Sequence, residues 1–298
     1  IDIFRADFYI LLHSLKFKPD IFLSVASMNM GHVAFLLRKP HIAFDDTEHN
    51  NINHLMYLPF VRNILTPYCF QKDMGTKHIR LKALLEFGSV HPKYFIPDDS
   101  IYELLQINKN EKFIILRFIS WDAIHDIGEK GLTLEIKRKA IKELSKYAKV
   151  FISSEKNLPK EFKEYQITIP PEKMHDALYY SELFFGESGT MAAEAALLGT
   201  PSVMVSTLAK TLGNFKELRD NYSLVYYYDN SIEGLAKALL IIKKSDSKEI
   251  WRNRAKCFFE SNIDFNAFLI WFIELYPESS LVLKENPEEI KKYYINHK

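Results

Sequence analysis

Short apolar runs alternate with helix-period stretches along most of this chain, and that alternation restricts the fold more than any other feature. The runs are "DIFLSVA" (20–26), "HIAFD" (41–45), "NILTP" (63–67), "HIRLKAL" (78–84) and "KFIILRF" (112–118), followed by "KVFISS" (149–154), "YQITI" (165–169), "ELFFG" (182–186), "PSVMV" (201–205) and "LVYYY" (224–228). Several are apolar on both faces, as a parallel strand covered by helices on two sides must be. Helical periodicity fills the gaps at 31–38, 68–74, 134–147, 173–181, 190–198, 212–221 and 231–243. Such alternation predicts a doubly wound α/β protein.

At 298 residues the chain has room for two domains. The strand pattern breaks across 87–112, where turn residues and the polar stretch "NKNEK" precede a new strand. The expected division is residues 1–92, residues 93–277 with a final helix, and a tail at 278–298. Read by eye, the sequence offers no internal repeat. The chain starts at Ile1 inside a helical pattern, so its first domain is expected to lack upstream elements.

With 39 basic against 38 acidic side chains, no net positive field favours the phosphates of a nucleic acid. Cys69 and Cys257 match no metal-ligand spacing, and two isolated cysteines point to a reducing, cytoplasmic setting. No apolar run reaches the roughly 18–20 residues that span a bilayer. "FNAFLIWFIELYP" (265–277) reads as a buried helix, with contact at the inner face of a membrane left open.

The stretch "FFGESGTMAAEAALLGTPSVMV" (184–205) carries the strongest chemical signal. A strand ends at Gly186, small and polar residues follow, and an alanine-rich helix begins. Gly186 and Gly189 permit a tight turn and a close ligand approach. Ser188 and Thr190 can cap the helix, whose free N–H groups and dipole favour an anion such as phosphate. Glu194 falls one turn deeper on the same face as Thr190, where it could accept the two hydroxyls of a ribose. Glu187 is either a ligand contact or a solvated cap residue. The plain alternative for the whole stretch is a well-capped helix packed on a sheet.

"GESGTMAAEAALLGTPSV" is similar to the donor-site motif of sugar-nucleotide enzymes of the GT-B fold, two Rossmann-like domains facing across a cleft. The relatives are the non-hydrolysing UDP-N-acetylglucosamine 2-epimerases and the N-acetylglucosaminyltransferase that completes lipid II. Thr190 departs from the second glycine of the epimerases. "FDDTEHN" (44–50), "LRFISWDAIHDIG" (116–128) and "IPPEKMHDALYYSELFFGES" (169–188) resemble an uncharacterised prokaryotic domain-of-unknown-function family assigned as GT-B glycosyltransferases. The resemblance implies that Ser188, Gly189 and Thr190 hold a diphosphate, that Glu194 holds the ribose, and that the backbone near Ile169 meets the base. It also implies a first domain that normally begins further upstream.

Other constellations fit this picture or remain plain surface. Arg117 closes a strand where a guanidinium could grip a diphosphate bidentately. Trp121, Asp122, His125 and Asp126 follow it, and His125 is a candidate acid toward the leaving phosphate. Asp45, Asp46, Glu48 and His49 cluster at a first-domain strand end. They could be a metal cluster, a solvated cap, or the source of a base that deprotonates an acceptor hydroxyl, for which Asp46, Glu48 and His49 are the choices. Ser27, Asn29 and Gly31 form a second small-residue turn. Ser153, Ser154, Glu155, Ser206 and Lys210 stand near strand ends, and His175 packs, caps or touches the ligand.

The expected function is inverting sugar transfer from a UDP-sugar-like donor to an unknown sugar or lipid-linked acceptor, with neither metal nor cofactor. A sugar-nucleotide 2-epimerase and a non-catalytic sugar-nucleotide-binding protein are the alternatives.

Overall fold

The computed structural model describes residues 2–84, 87–119, 132–154, 157–207 and 209–294. Within them lie two parallel sheets. The first has the order β1 (Phe22–Val25), β2 (His41–Phe44), β3 (Asn63–Pro67) and β4 (His78–Leu81). The second has the order β6 (Lys149–Ser154), β5 (Phe113–Phe118), β7 (Leu183–Gly186), β8 (Ser202–Val205) and β9 (Val225–Tyr228). Every neighbouring pair is parallel. The chain is therefore α/β with two Rossmann-like parallel sheets, as the strand–helix alternation predicts.

Helices α1 (Asp2–Phe17), α2 (Met28–Leu36) and α3 (Asn51–Tyr57) accompany the first sheet. Then come two single turns, α4 (Phe87–Val90) and α5 (Ile101–Leu104), followed by α6 (Leu134–Leu144), α7 (Met174–Tyr180) and α8 (Gly189–Leu197). The last are α9 (Gly213–Asp220), α10 (Ser231–Ile242), α11 (Ser247–Glu260), α12 (Phe265–Glu274) and α13 (Glu278–Glu285).

The strand β5 shows why "FIILRF" reads as a continuous apolar run. Phe113, Ile114, Ile115 and Leu116 are all 0% exposed, so both faces are covered. Burial of each such side chain stabilises the fold by about 1.5–3 kcal/mol. Helix α6 shows the other period: Thr133 caps it and Ile136, Ala140, Ile141 and Leu144 form one buried stripe.

The chain divides into two compact units, residues 1–85 with 211–214 and 262–298, and residues 86–210 with 215–261. This differs from a break at 92/93, and it groups the final helices with the first sheet. The reason lies in side chains. The ring of Phe265 meets Phe44 at 5.9 Å, and the Tyr276 hydroxyl donates to Asn63 Oδ1 at 2.9 Å.

Residues 68–74 are not helical, and neither is 165–169 a strand. Phe70 and Met74 share the spacing of a helix face because both fill one core cluster from a turn. Among the described residues the only pairing around 165–169 is one bridge from Gln166 to Ile152. Helices α3 and α11 are absent from the sequence reading.

A repeat is present after all. The strands β1 and β7 begin at 22 and 183, and β2 and β8 begin at 41 and 202, so each pair stands 161 positions apart and each strand has four residues. Between them α2 and α8 both have nine residues. Ser27 and Ser188 cap these helices from the same extended conformation, each accepting from the N–H three residues on at 3.4 Å. At the far ends, Lys39 N–H bonds Ala34 O at 2.9 Å and Thr200 N–H bonds Ala195 O at 2.8 Å, closing the same C-terminal motif. Six of the fourteen residues of 27–40 are identical in 188–201.

Candidate functional site

In the second unit β7 is buried to its last residue, Gly186. A Cβ there would stand 2.3 Å from the Arg117 carbonyl oxygen, so only glycine lets β7 pair with β5 at this point. A Cβ on Gly189 would meet the Phe215 ring at 2.8 Å. Both glycines are thus fixed by close packing. Ser188 occupies the cap of α8, and among the described residues the N–H groups of Gly189 and Thr190 have no acceptor. Thr190 is exposed. Two open N–H groups at the positive end of a helix favour negative charge beside them.

Glu194 stands one turn further along α8. His175 Nε2 lies 3.3 Å from its Oε1, and the Phe95 ring stands edge-on to the imidazole at 6.2 Å. The bond to Glu194 raises the His175 pKa above its ordinary value, against the opposing effect of burial. His175 thus engages one carboxylate oxygen of Glu194.

Arg117 is half-buried at the end of β5, and its Nη1 donates to Ser153 Oγ on β6 at 2.9 Å. Glu187 is engaged within the protein. Its carboxylate accepts the backbone N–H groups of Ile119 at 3.0 Å and Leu132 at 2.7 Å, with buried Lys137 3.5 Å away. It ties the end of β5 and the start of α6 to the residue before the Ser188 turn. Ile169 is half-buried in the segment leading to Pro171–Lys173, and among the described residues its backbone N–H and C=O make no hydrogen bond. Trp121, Asp122, His125, Asp126 and Glu155 lie outside the described residues.

In the first unit the cluster "DDTEH" separates into distinct environments. Asp45 is 2% exposed and continues the β2 ladder, its N–H bonding Leu65 O at 3.1 Å. Its Oδ2 accepts from the Tyr57 hydroxyl at 2.5 Å and lies 3.0 Å from His54 Nε2. The other nitrogen of His54 lies 2.8 Å from Lys72 Nζ, which also reaches Asn51 Oδ1 at 2.7 Å. Burial pushes the His54 pKa down despite the Asp45 charge, and it pushes the Tyr57 hydroxyl far up. The sequence reading missed this Tyr57–Asp45–His54–Lys72 chain. Its only signal was His54 on the helix following the acidic turn.

Asp46 has a different partner, the hydroxyl of Thr47. Burial raises its pKa, the Asp45 charge adds to the rise, and the Thr47 hydroxyl, which donates to it at 3.0 Å, opposes both. Glu48 is tied down, accepting from the backbone N–H of Gly213 at 2.9 Å and of Gln71 at 3.3 Å. His49 is exposed. Among the described residues no three His, Cys, Asp or Glu side chains come together as metal ligands. Among the same residues no helix is long and apolar enough to cross a membrane.

Comparison with known proteins agrees with this architecture. An uncharacterized protein of Methanocaldococcus jannaschii is 27% identical over 253 residues, covering 80% of this chain and 73% of its own. A glycosyltransferase of Streptomyces sp. SF2575, SsfS6, solved with thymidine diphosphate, covers 86% of this chain and 69% of its own with a TM-score of 0.54 and 15% identity. A UDP-N-acetylglucosamine 2-epimerase covers 87% and 76% with a TM-score of 0.53 and 14% identity. These two solved structures share the fold of this chain. Residues 5–259 match the family described as "Protein of unknown function (DUF354)", and the chain belongs to that family.

Proposed function

We propose that the chain binds a nucleotide-diphosphate sugar at the start of α8 and transfers its sugar, with inversion, to an acceptor hydroxyl without a metal. The observation that carries this reading is the pairing of two open N–H groups at Gly189 and Thr190 with Glu194 one turn deeper, held by His175. Diphosphate at the turn and ribose diol at the carboxylate correspond to two adjoining parts of a nucleoside diphosphate. Arg117 adds a fixed positive charge at the neighbouring strand end, and charge developing on the leaving diphosphate is stabilised there and by the N–H groups. The backbone of Ile169 offers one donor and one acceptor to a base edge. Glu187 supports the turn and makes no contact with the donor.

Asp46 is the base of choice. Its raised pKa makes it a stronger proton acceptor than an ordinary carboxylate, whereas Glu48 is already engaged by backbone N–H groups. Asp46 takes the acceptor's proton as the oxygen attacks the anomeric carbon, and the bond to the nucleoside diphosphate breaks with its electron pair leaving on phosphate oxygen. The rate should then fall as pH drops through the Asp46 pKa.

The solved neighbours support a sugar-nucleotide reading and include an epimerase as well as a glycosyltransferase. Incubation with a UDP-sugar alone separates these two readings, because an epimerase forms a new sugar nucleotide without an acceptor. The first test is calorimetric titration with UDP, GDP, CDP and dTDP. Binding of one of them, weakened by both Ser188→Ala and Glu194→Ala, is the expected result; a folded chain that binds none overturns the reading.

A further inference from the structure

The opposite edge of the first sheet, where its strands begin, is an open groove of about 1230 Å³. All four strand starts contribute to its surroundings: Asp20 and Ile21 before β1, Lys39 and Pro40 before β2, Arg62 and Asn63 at β3, and Lys77 before β4. Arg38 from the end of α2 and Lys284 on α13 also face it. Asp46, by contrast, follows the carboxyl end of β2. The groove is therefore distinct from the chemistry described above.

Its charge is unbalanced. Five cationic side chains face two acids, Asp20 and Glu274, and Asp20 is already bonded by Lys39 at 3.0 Å. Among the described residues Arg38, Arg62 and Lys284 form no ion pair. Arg38 and Lys284 complement the C-termini of α2 and α13, and Lys77 donates to Leu58 O at the cap of α3 at 3.1 Å, whereas among the described residues Arg62 has no α-helix end to answer. Burial lowers the Lys77 pKa, and the nearby Arg62 charge adds to the fall. At the matching edge of the second unit a lysine is fully engaged instead. There Lys248 of α11 donates to Tyr179 O, Ser181 O and the Thr200 hydroxyl, and Arg252 packs against Gly199.

We infer that this groove binds a small phosphorylated ligand carrying more than one negative charge. Cations placed on separate elements around an open space suit an extended anion rather than a single carboxylate. The apolar rings of Phe35 and Phe60 on the same wall give its uncharged part a surface to rest on. The groove serves a ligand other than the proposed sugar donor, and its occupancy does not depend on Ser188.

The test is calorimetric titration of the full chain with sodium tripolyphosphate at low ionic strength. It uses the unchanged protein, the double variant Arg62→Gln/Lys284→Gln, and Ser188→Ala. Both substituted cations are exposed, so folding is preserved. Affinity at the groove should fall about tenfold or more in the double variant, whereas Ser188→Ala should remove only the separate binding at the α8 turn. Equal binding by all three proteins, or a loss confined to Ser188→Ala, overturns the inference. Co-sedimentation with vesicles of phosphatidylcholine and phosphatidic acid identifies the source of the phosphate. Vesicle binding that the double variant loses assigns it to a lipid headgroup, and tripolyphosphate binding without vesicle binding assigns it to a soluble molecule. Absence of both overturns the inference.

Discussion

The two strand–helix turns at Ser27 and Ser188 have the same backbone and unlike surroundings. Where α8 has Gly189, Thr190 and Glu194, α2 has Met28, Asn29 and Val33. Asn29 donates to Asp7 Oδ1 at 2.6 Å, so a carboxylate of α1 already stands at that turn, and Val33 is 2% exposed in the core. A capped helix start after a strand is thus shared scaffolding. The difference between scaffolding and a ligand site rests on what occupies the next turn and what covers the first one.

The sharpest way to break the comparison is at the strand ends. Gly186→Ala forces a Cβ against the Arg117 backbone, whereas the corresponding Val25 is 68% exposed. The glycine substitution should cost about 3 kcal/mol or more, and Val25→Ala within about 0.5 kcal/mol; chemical denaturation of both variants measures it. Little loss at Gly186 would mean that the strand can move aside.

Acid should weaken the first repeat selectively. His41 is 0% exposed, its Nε2 lies 2.8 Å from Ser24 Oγ, and burial lowers its pKa to about 4. Its counterpart is Ser202, which does not titrate. Neutral His41 is favoured in the fold while the unfolded chain takes up a proton below its ordinary value of 6.5. The contribution is therefore full above pH 6.5 and lost as pH falls to about 4, amounting to about 3 kcal/mol. Denaturation midpoints followed across that range should lose this dependence in His41→Gln.

Smaller effects sharpen the ligand side. Glu194→Ala should weaken nucleotide binding by about 10- to 100-fold, the equivalent of one or two hydrogen bonds to a charged group, and His175→Ala by less. Ser27→Ala and Ser188→Ala should each cost about 0.5–1 kcal/mol of stability, yet only the second should alter nucleotide affinity in titration. An equal effect of both on binding would place a ligand at α2 as well.

Much of this was legible in the residues. The two parallel sheets follow from strands such as β5, apolar on both faces. Ser188 as a cap with Glu194 one turn deeper follows from helical spacing alone. The role of Glu187 was not legible, because its partners Ile119 and Leu132 lie far along the chain and meet it only through the sheet. The Asp45–His54 contact depends on the path of α3, which the apolar pattern around 51–57 did not announce. The repeat was visible in principle, since Ser27, Met30, Ala34 and Pro40 recur 161 positions later. The substitutions between them hid it: Gly31 beside His41 in one copy answers Ala192 beside Ser202 in the other. A large ring under a glycine and a small hydroxyl under an alanine fill comparable space, so neither letter matches while the packing does.

One position in that repeat has a meaning beyond geometry. The residue after each helix turns left-handed, at φ +79 for Gly199 and φ +56 for Arg38. Glycine adopts this shape freely, while a side chain there costs about 1 kcal/mol. Arg38→Gly should thus make the chain harder to unfold and the basic groove poorer at holding its anion. Durability and capture pull this one residue in opposite directions, so a selection for heat resistance alone would tend to discard the guanidinium.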